Sequence, residues 1–252
     1  MSASLMLRCI FALILGLSVS GCSLLKASAA PNAGFLPKPE LLSETSTRSP
    51  FHASWMIEAA RYMELRKHYK SIVIAPISTT YVDRQIDTRY SSERLRLIRK
   101  EEAAEVARYF HNKLVMVLKA YQAHPLMVVE APAQDAVVLN LALVEIQPTN
   151  PFINTAGTVA GAFVPGGGLI KLAGTGSVAI EGYLTDVNTG ELLEQFKDRE
   201  ADKSAPFTIK DFQEYAHVRV ALDDWAMQLA ELLATPLEHV VSDSLPFSLN
   251  PF

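Results

Sequence analysis

The sequence predicts an α+β fold, in which a small mixed β-sheet of about five strands carries two long helices packed on it. Two long segments have apolar residues at helical spacing, and several short runs are β-branched or alternate between apolar and polar residues. One predicted strand is apolar on both faces, which is typical of a strand covered on both sides. No internal repeat divides the chain, and we place a single domain at residues 51–240.

The amino terminus has the pattern of a lipoprotein signal. Arg8 and the free amino group precede an apolar run, Ile10–Val19, that is long enough for a secretory signal and too short to span a bilayer. Small residues then lead directly into Cys22, as in precursors whose cysteine receives lipid. We expect residues 1–21 to be removed by cleavage between Gly21 and Cys22, and the Cys22 thiol to carry acyl chains.

The next stretch, residues 22–50, is predicted to be the lipid anchor and a flexible tether. It contains four prolines among small and polar residues, and proline opposes both helix and sheet. A flexible chain of this length has an end-to-end distance of roughly 30 Å and, fully stretched, reaches about 95 Å. Ser23, where other lipoproteins have Asp, favours the outer membrane of a host with two membranes. We expect the domain to face the periplasm there.

Charge and cysteine content narrow the expected chemistry. The chain carries 23 Lys plus Arg against 27 Asp plus Glu, and we identify no clustered basic stripe, so nucleic acid is not an expected partner. Removal of Cys9 with the signal leaves Cys22 as the remaining cysteine. The mature domain is therefore expected to depend on its core and not on an internal disulfide.

The first half of the domain is predicted to contain a helix, a strand and a second, longer helix. Trp55–Tyr69 has apolar residues at helical spacing, and Ser71–Ile77 is a short β-branched run that contains a proline. The strongest helical pattern of the chain is Ser92–Tyr121, with Pro125 after its end. The residues expected to form its buried stripe are Leu95, Ile98, Val106, Phe110, Leu114, Val117 and Tyr121.

The second half begins with strands. Leu126–Val129 is a short candidate, and Ala136–Gln147 is the strand with two apolar faces, which predicts a central position or a subunit contact. Ser177–Asp186 and Glu191–Arg199 flank an Asn-Thr-Gly turn, where Gly190 tolerates the positive φ that a hairpin needs.

The last predicted element is a helix over residues 209–234. Thr208, with Asp211 three residues later, makes a start similar to a capping box, and Pro236 follows the end. Residues 241–252 are predicted to form a C-terminal tail, which is apolar and interrupted by proline.

We expect no catalytic residues, no metal site and no cofactor. The six histidines lack metal-ligand spacing, and Asp186–Glu191 lacks the later ligands of a calcium loop. The glycines of Pro165–Gly168 precede a strand, whereas a phosphate loop requires a helix there, and a G-x-S-x-G nucleophile elbow is absent from the sequence. Glu145 and Glu181 lie in apolar strands, so each needs a partner such as an Arg or Lys across the sheet.

One uncharged segment, residues 149–170, is the candidate for a partner contact. It is rich in Gly and small residues, and connections of this length are uncommon unless they are functional. The alternative is a connection that folds back onto the sheet. The residues that we expect to contact a partner are Phe152, Ile153, Val159, Phe163 and Val164.

The hairpin region resembles a known family. Glu181-Gly-Tyr-Leu-Thr-Asp-Val-Asn-Thr-Gly-Glu191, then Asp198-Arg199, and later Asp-Asp-Trp-Ala at residues 223–226, are similar to the uncharacterised bacterial lipoprotein family called domain of unknown function 3313. The likeness covers residues 51–236. It implies a family and no particular activity. The order of elements also resembles other α/β lipoproteins of the cell envelope, a topological likeness that does not transfer function.

Taken together, these features predict a lipid-anchored, non-enzymatic module on the periplasmic side of the outer membrane. Its expected partners are the membrane, through the lipid, and either an envelope protein or further copies of the chain. The alternative is an envelope enzyme or a carrier of small apolar molecules, which requires a pocket between the sheet and the two long helices.

Overall fold

The structure, a computed structural model, describes residues 28–46, 48–121, 126–147, 176–201 and 216–244. Within these residues the chain forms a mixed sheet of six strands with four α-helices. The predicted α+β class is therefore confirmed, with six strands where about five were expected.

The elements follow one another along the chain without a repeat. A short 3₁₀ turn, Pro39–Leu41, precedes the first strand. The strands and helices are β1 (Ala53–Met56), α1 (Ala59–Arg66), β2 (Ser71–Ile74), α2 (Thr80–Arg89), α3 (Glu93–Ala120), β3 (Met127–Val128), β4 (Ala136–Gln147), β5 (Ser177–Asp186), β6 (Leu192–Ala201) and α4 (Ala216–Ala234).

The strands lie in the order β1-β6-β5-β4-β2-β3. The three long strands β4, β5 and β6 are antiparallel neighbours, β1 is antiparallel to β6, and β2 is parallel to both β3 and β4. Two ends of the sheet can be distinguished. The turn end holds the β5–β6 turn, and the Gln147 end is where β4 finishes with Gln147 and β5 starts with Ser177.

One face of the sheet, called here the helix face, is covered by α3 and α4. Side chains from both helices fill the space against the central strands, and the largest of them are completely buried. The fully buried apolar side chains of this interface include Phe110, Leu114, Leu222, Trp225, Leu143, Ile180 and Leu193. Packing of this density stabilises the domain through the apolar surface that it removes from water.

A glycine sets the closest approach within the helix face. Gly182 on β5 lies opposite Leu141 on β4 and Phe196 on β6. A Cβ atom at this position would lie 2.4 Å from the Phe196 ring and 2.6 Å from Leu141. The Phe196 ring, stacked on Phe51 at a centroid distance of 4.4 Å, occupies the space that any other residue at position 182 would need.

The opposite face of the sheet, the outer face, is covered by the N-terminal segment and by α2. Ala30 lies in an apolar cluster with Ala142, Val144 and Ala179, and Tyr81 of α2 packs against the same cluster. The two apolar faces predicted for Ala136–Gln147 are thus both covered, and β4 is a central strand as expected.

Several predicted elements are confirmed with small shifts at their ends. They are the strands at Ser71, Met127 and Ala136, the hairpin of β5 and β6, and the long helix α3. The last predicted helix is confirmed from Ala216 onward. In the described part of the chain, no helix combines the length and the apolar character that crossing a membrane requires.

The start of the domain differs from the prediction. The predicted helix Trp55–Tyr69 is divided between β1 and α1, because Trp55 pairs with Gln195 of β6 as part of an edge strand. The helix α2 was not predicted, because most of its residues are polar and only Val82 and Ile86 are buried.

Both ends of the domain also extend further than predicted. The described part of the predicted tether is packed on the sheet, because its backbone and side chains find partners there. At the other terminus, Val241 is buried and its backbone N–H donates to the carbonyl of Arg48. Residues 241–244 therefore belong to the domain and not to a free tail.

Candidate functional site

Most of the predicted site residues lie outside the residues that the structure describes. This holds for the cleavage and lipidation site, Gly21 and Cys22, and for the uncharged segment 149–170. The partner-contact residues that fall in that segment are Phe152, Ile153, Val159, Phe163 and Val164. What the structure does describe is part of the predicted tether, residues 28–46 and 48–50.

This segment, residues 28–46, is called here the N-terminal strap, and it is fastened to the outer face by a buried carboxylate. Glu181 on β5 is only 1% exposed. Its two oxygens accept hydrogen bonds from the backbone N–H groups of Ala33, at 2.6 Å, and Phe35, at 3.0 Å. A carboxylate inside a sheet requires such partners, and hydrogen bonds to a charged group are among the stronger ones in proteins.

The predicted partner of Glu181 was a cation across the sheet, and the structure gives it two backbone amides. Lys197 lies opposite Glu181 in the register of β5 and β6. Its Nζ instead donates to the carbonyl of Ala30, at 3.0 Å, and to Oδ1 of Asn32, at 2.9 Å. The two charged side chains therefore hold the same short stretch of the strap from two sides.

Glu145, the other carboxylate predicted to need a partner, does form an ion pair across the sheet. Glu145 on β4 accepts from Nη2 of Arg199 on β6 at 2.7 Å and from the hydroxyl of Ser177 at 2.5 Å. The prediction for Glu145 is therefore confirmed.

Further along the strap, a buried amide repeats the arrangement. Gln195 on β6 is completely buried. Its Oε1 accepts from the backbone N–H of Lys38 at 3.2 Å, and its Nε2 donates to the carbonyl of Lys38. The Gln195 amide thus forms hydrogen bonds with both the backbone N–H and the backbone carbonyl of Lys38.

Aromatic rings complete the attachment of the strap. The ring of Phe35 lies 5.1 Å from that of Tyr183 on β5 and 6.2 Å from that of Tyr81 on α2, measured between centroids. Because Phe35 bridges β5 and α2, the strap, the sheet and α2 form one continuous packed layer.

A polar cluster on the helix face links three elements. Asp198 on β6 is 1% exposed and accepts from Nε1 of Trp225 at 2.8 Å. Its other oxygen accepts from the backbone N–H of His52 at 3.0 Å and pairs with Nδ1 of the same residue. The cluster joins α4, β6 and the chain before β1, and we assign it a structural role.

The turn end holds a small cavity of about 140 Å³ beside an ionisable group. Its lining includes Arg48, Trp55, Glu194 and Leu232. Burial raises the pKa of the Glu194 carboxyl, although the nearby charges of Arg48 and Arg66 and a hydrogen bond from Tyr62 act in the opposite direction. Burial and the neighbouring Glu194 also raise the pKa of the Tyr62 hydroxyl.

Two arginines that act on Glu194, Arg48 in the lining of the cavity and Arg66 outside that lining, are engaged by the end of α4. Arg48 donates to the carbonyl of Leu232 at 2.5 Å, and Arg66 donates to Leu233 at 2.5 Å and to Thr235 at 2.8 Å. These carbonyls lack partners inside the helix, and cations are favourable at a helix C-terminus. The two arginines therefore cap α4.

The described residues offer no cluster of metal ligands. In the described ranges, no group of three or more His, Cys, Asp and Glu side chains is placed to hold an ion. The Asp186 carboxylate of the suspected calcium loop is occupied by its own turn, since it accepts from the backbone N–H groups of Asn188 and Thr189 at 2.8 Å. Tyr69 donates a further hydrogen bond to Asp186 at 2.8 Å.

The sequence matches one protein family over residues 32–229, and that family is described as a protein of unknown function, DUF3313. The chain belongs to the DUF3313 family. The match begins inside the N-terminal strap, so part of the strap is included in the region that defines a DUF3313 domain. The resemblance stated from the hairpin residues is therefore confirmed. No curated protein matches the chain.

Solved structures similar to this DUF3313 domain have low identity to it. Two crystal forms of the PelC dodecamer from Paraburkholderia phytofirmans each have a TM-score of 0.37, with 12% and 15% identity. Each match covers 67% of this chain and 90% or 91% of the PelC chain. The hypothetical protein CT253 from Chlamydia trachomatis has a TM-score of 0.36 and 8% identity, over 66% of this chain and 98% of its own. These values carry no inference about assembly or activity.

Sequence reasoning missed the strap because a proline-rich segment has no periodicity. A signal was nevertheless present in the second apolar face of β4, which requires a cover. A further signal was the pair Phe35 and Leu36, two large apolar residues inside a segment assigned to solvent. Leu36 is buried in the structure, with 6% of its surface exposed.

Proposed function

We propose that this DUF3313 protein is an outer-membrane lipoprotein, anchored through Cys22, whose periplasmic domain binds a protein partner or further copies of itself without catalysing a reaction. The observation that carries the proposal is the attachment of the N-terminal strap. Its first buried residue is Ala30, so only residues 23–29 separate the proposed lipid attachment from the packed domain.

The strap changes the distance from the membrane that a lipid anchor would allow. Fully extended, the chain from Cys22 to Ala30 spans at most about 30 Å, much less than a tether of residues 22–50. A domain held in this way stays close to the headgroups. We infer that it acts at the membrane surface and not at a distance across the periplasm.

The packing of the helix face supports a binding module over the alternative of a carrier or an enzyme. Carriers of small apolar molecules need a cavity, and the interface between the sheet and the helices α3 and α4 is occupied by buried side chains. The cavity beside Glu194 is lined by Arg48, which already donates to the carbonyl of Leu232 at the end of α4.

The lipid anchor is tested by mass spectrometry and fractionation of the protein produced from its full chain in a Gram-negative host. The expected result is an N-terminal peptide at Cys22 that carries acyl groups, and a wild-type protein that sediments with outer membranes. The Cys22→Ser variant should be released. A Cys22→Ser protein that still sediments with membranes, together with an unmodified wild-type peptide, would overturn the proposal.

The partner is sought by cross-linking in the same cells, with mass spectrometry of the captured proteins. Shortening residues 149–170 to a tight turn is expected to abolish partner capture while the domain still folds, which circular dichroism checks. If capture of the same partner survives in the folded deletion variant, the segment 149–170 is not the contact.

A further inference from the structure

We propose that the connection between α2 and α3 is a docking surface for anionic phospholipid. This surface, called the α2–α3 tip, comprises residues 84–100. It includes the last part of α2, the connection and the first two turns of α3. The inference deepens the proposed function, because it names the membrane surface itself as a second attachment beside the lipid.

The tip exposes apolar side chains at the start of α3. Leu95 is 45% exposed, Leu97 is 62% exposed and Ile98 is 43% exposed. Leu95 and Ile98 belong to the stripe that the helical pattern predicts to be buried, and that prediction is wrong for these two residues. Within the described residues, no element covers this part of the stripe, which becomes buried only from Ala103 onward.

The tip is also basic in a chain that is acidic as a whole. Residues 84–100 contain six Lys and Arg residues and two acidic residues, whereas the net charge of the chain is −4. The two acidic side chains are already paired, Asp87 with Lys100 at 2.7 Å and Glu93 with Arg96 at 2.6 Å. A third basic side chain, Arg99, pairs with Glu102 just beyond the tip at 2.8 Å.

Arg89 and Arg94 of the tip remain available for a ligand, and Arg84 lies over the Tyr81 ring at 5.4 Å from its centroid. Arg84, Arg89 and Arg94 are exposed, and none of them forms an ion pair among the described residues. Exposed apolar side chains next to unpaired cations are the composition of helices that lie in the interface of an anionic membrane. Each basic side chain brought near such a surface strengthens binding by about fivefold.

The tip and the N-terminal strap lie on the same face of the sheet. Gln85 of α2 donates to the carbonyl of Val144 at 2.8 Å, and Val144 belongs to the apolar cluster of Ala30 on the outer face. The strap and α2 thus meet on the same residue of β4. A small cavity lined by Arg89, Arg99 and Ile146 places the tip at the Gln147 end of the sheet.

Ala30, the first buried residue of the strap, belongs to the cluster against which Tyr81 of α2 packs, so the strap and α2 share the outer face. An anchor of at most about 30 Å brings this part of the domain to the membrane. Chain length, charge and exposed apolar surface therefore favour the same occupant, a leaflet that contains anionic phospholipid.

Vesicle binding tests the inference without the acyl chains. The chain from residue 22 onward, with Cys22→Ser, retains every described residue and lacks the lipid. It is expected to sediment with vesicles of phosphatidylethanolamine and phosphatidylglycerol, and not with neutral phosphatidylcholine vesicles, and to lose binding as salt is raised. Arg89→Glu with Arg94→Glu should weaken binding by about tenfold or more, and Leu97→Ser should weaken it at constant charge.

Matched controls lie at exposed positions outside the tip. Lys67→Glu with Lys119→Glu makes the same change in net charge at exposed sites away from the tip, and Met116→Ser removes an apolar side chain that is 56% exposed on α3. Both controls are expected to bind vesicles like the parent protein. Equal loss of binding in the tip variants and the controls would overturn the inference, because it would indicate attraction to overall charge only.

Sedimentation velocity tests whether the tip binds a second copy of the chain and not phospholipid. If Leu97→Ser dissociates an oligomer while vesicle binding is unchanged, the tip is a contact between protein chains and the inference is wrong. Vesicle binding by the Cys22→Ser protein does not depend on whether native Cys22 is lipidated, so the two proposals can fail separately. Vesicle binding by the Cys22→Ser protein with an unmodified native Cys22 would support the tip and refute the anchor, and the reverse pair of results would refute the tip alone.

Discussion

The carboxylate of Glu181 lies 2.6 Å from the backbone nitrogen of Ala33, and 148 residues of sequence separate the two. Because this bond and its neighbour at Phe35 are made by a buried charge, the first described residues of the chain are part of the outer face. The proposed position close to the membrane and the proposed docking of the α2–α3 tip both depend on this contact.

Replacing Glu181 by Gln should release the strap. The amide can accept one of the two backbone bonds, and its NH₂ group faces the second backbone donor, so we expect the free energy of unfolding to fall by about 2 kcal/mol. Limited proteolysis should cut within residues 28–46 faster than in wild type. Glu40→Gln, at an exposed site of the same strap, is the matched control and should leave both measurements unchanged. Equal proteolysis of the two variants would contradict the role given to Glu181.

Gly182→Ala should destabilise the domain by about 1 to 3 kcal/mol, because the added methyl group meets the Phe196 ring. Urea denaturation measures the loss. The Phe196→Leu background provides the control, since it removes the ring and keeps the contact with Leu141. Gly182→Ala is expected to cost less in that background than in wild type. A cost that is the same in both backgrounds would show that the ring is not the obstacle.

Trp225→Phe should cost about 2 kcal/mol of unfolding free energy, because Asp198 loses the indole N–H that donates to it at 2.8 Å. The chain has two tryptophans, and Trp55→Phe is the control at a partly buried site. Thermal unfolding, followed by circular dichroism, should show a clearly lower Tm for the Trp225 variant than for the Trp55 variant. The reverse order would contradict the structural role of the Asp198 cluster.

The raised pKa of Glu194 should make the free energy of unfolding depend on pH. Burial raises its pKa in the folded protein, so the folded state holds the proton more tightly than the unfolded chain does. Stability from this group is present below the ordinary pKa of about 4.3 and is lost as pH rises through the folded pKa. Glu194→Gln should therefore become more stable relative to wild type between about pH 4 and about pH 8.

Denaturation by urea at both pH values measures that change. Glu64→Gln is the control, because Glu64 is exposed and its hydrogen bond with Lys67 lowers the pKa of its carboxyl. Its stability relative to wild type should not rise with pH. A Glu194→Gln variant whose relative stability is constant over this range would show that the carboxyl is not held in its neutral form.

Local pattern was sufficient for much of the fold. The helical spacing of α3, the two apolar faces of β4 and the Gly190 turn of the β5–β6 hairpin each report a property of neighbouring residues, and the structure confirms them. Periodicity depends only on which side of an element is buried, and it is therefore visible without knowledge of the partner.

Helical spacing gave wrong predictions where contacts with residues distant in sequence determine the structure. Trp55 fits a helical spacing, yet pairing with Gln195 on β6 holds it in an edge strand. The predicted stripe of α3 includes Leu95, which remains exposed because no described element lies over it.

The sequence by itself determined that β4 needs a cover on each face, that α3 is a long amphipathic helix and that the amino terminus has a lipidation pattern. Only the tertiary structure decided that the proline-rich strap is one of those covers and that the basic tip lies beside it. The physical reason is that proline removes local periodicity, so the strap is ordered by partners such as Glu181 and Gln195, which are far away in sequence.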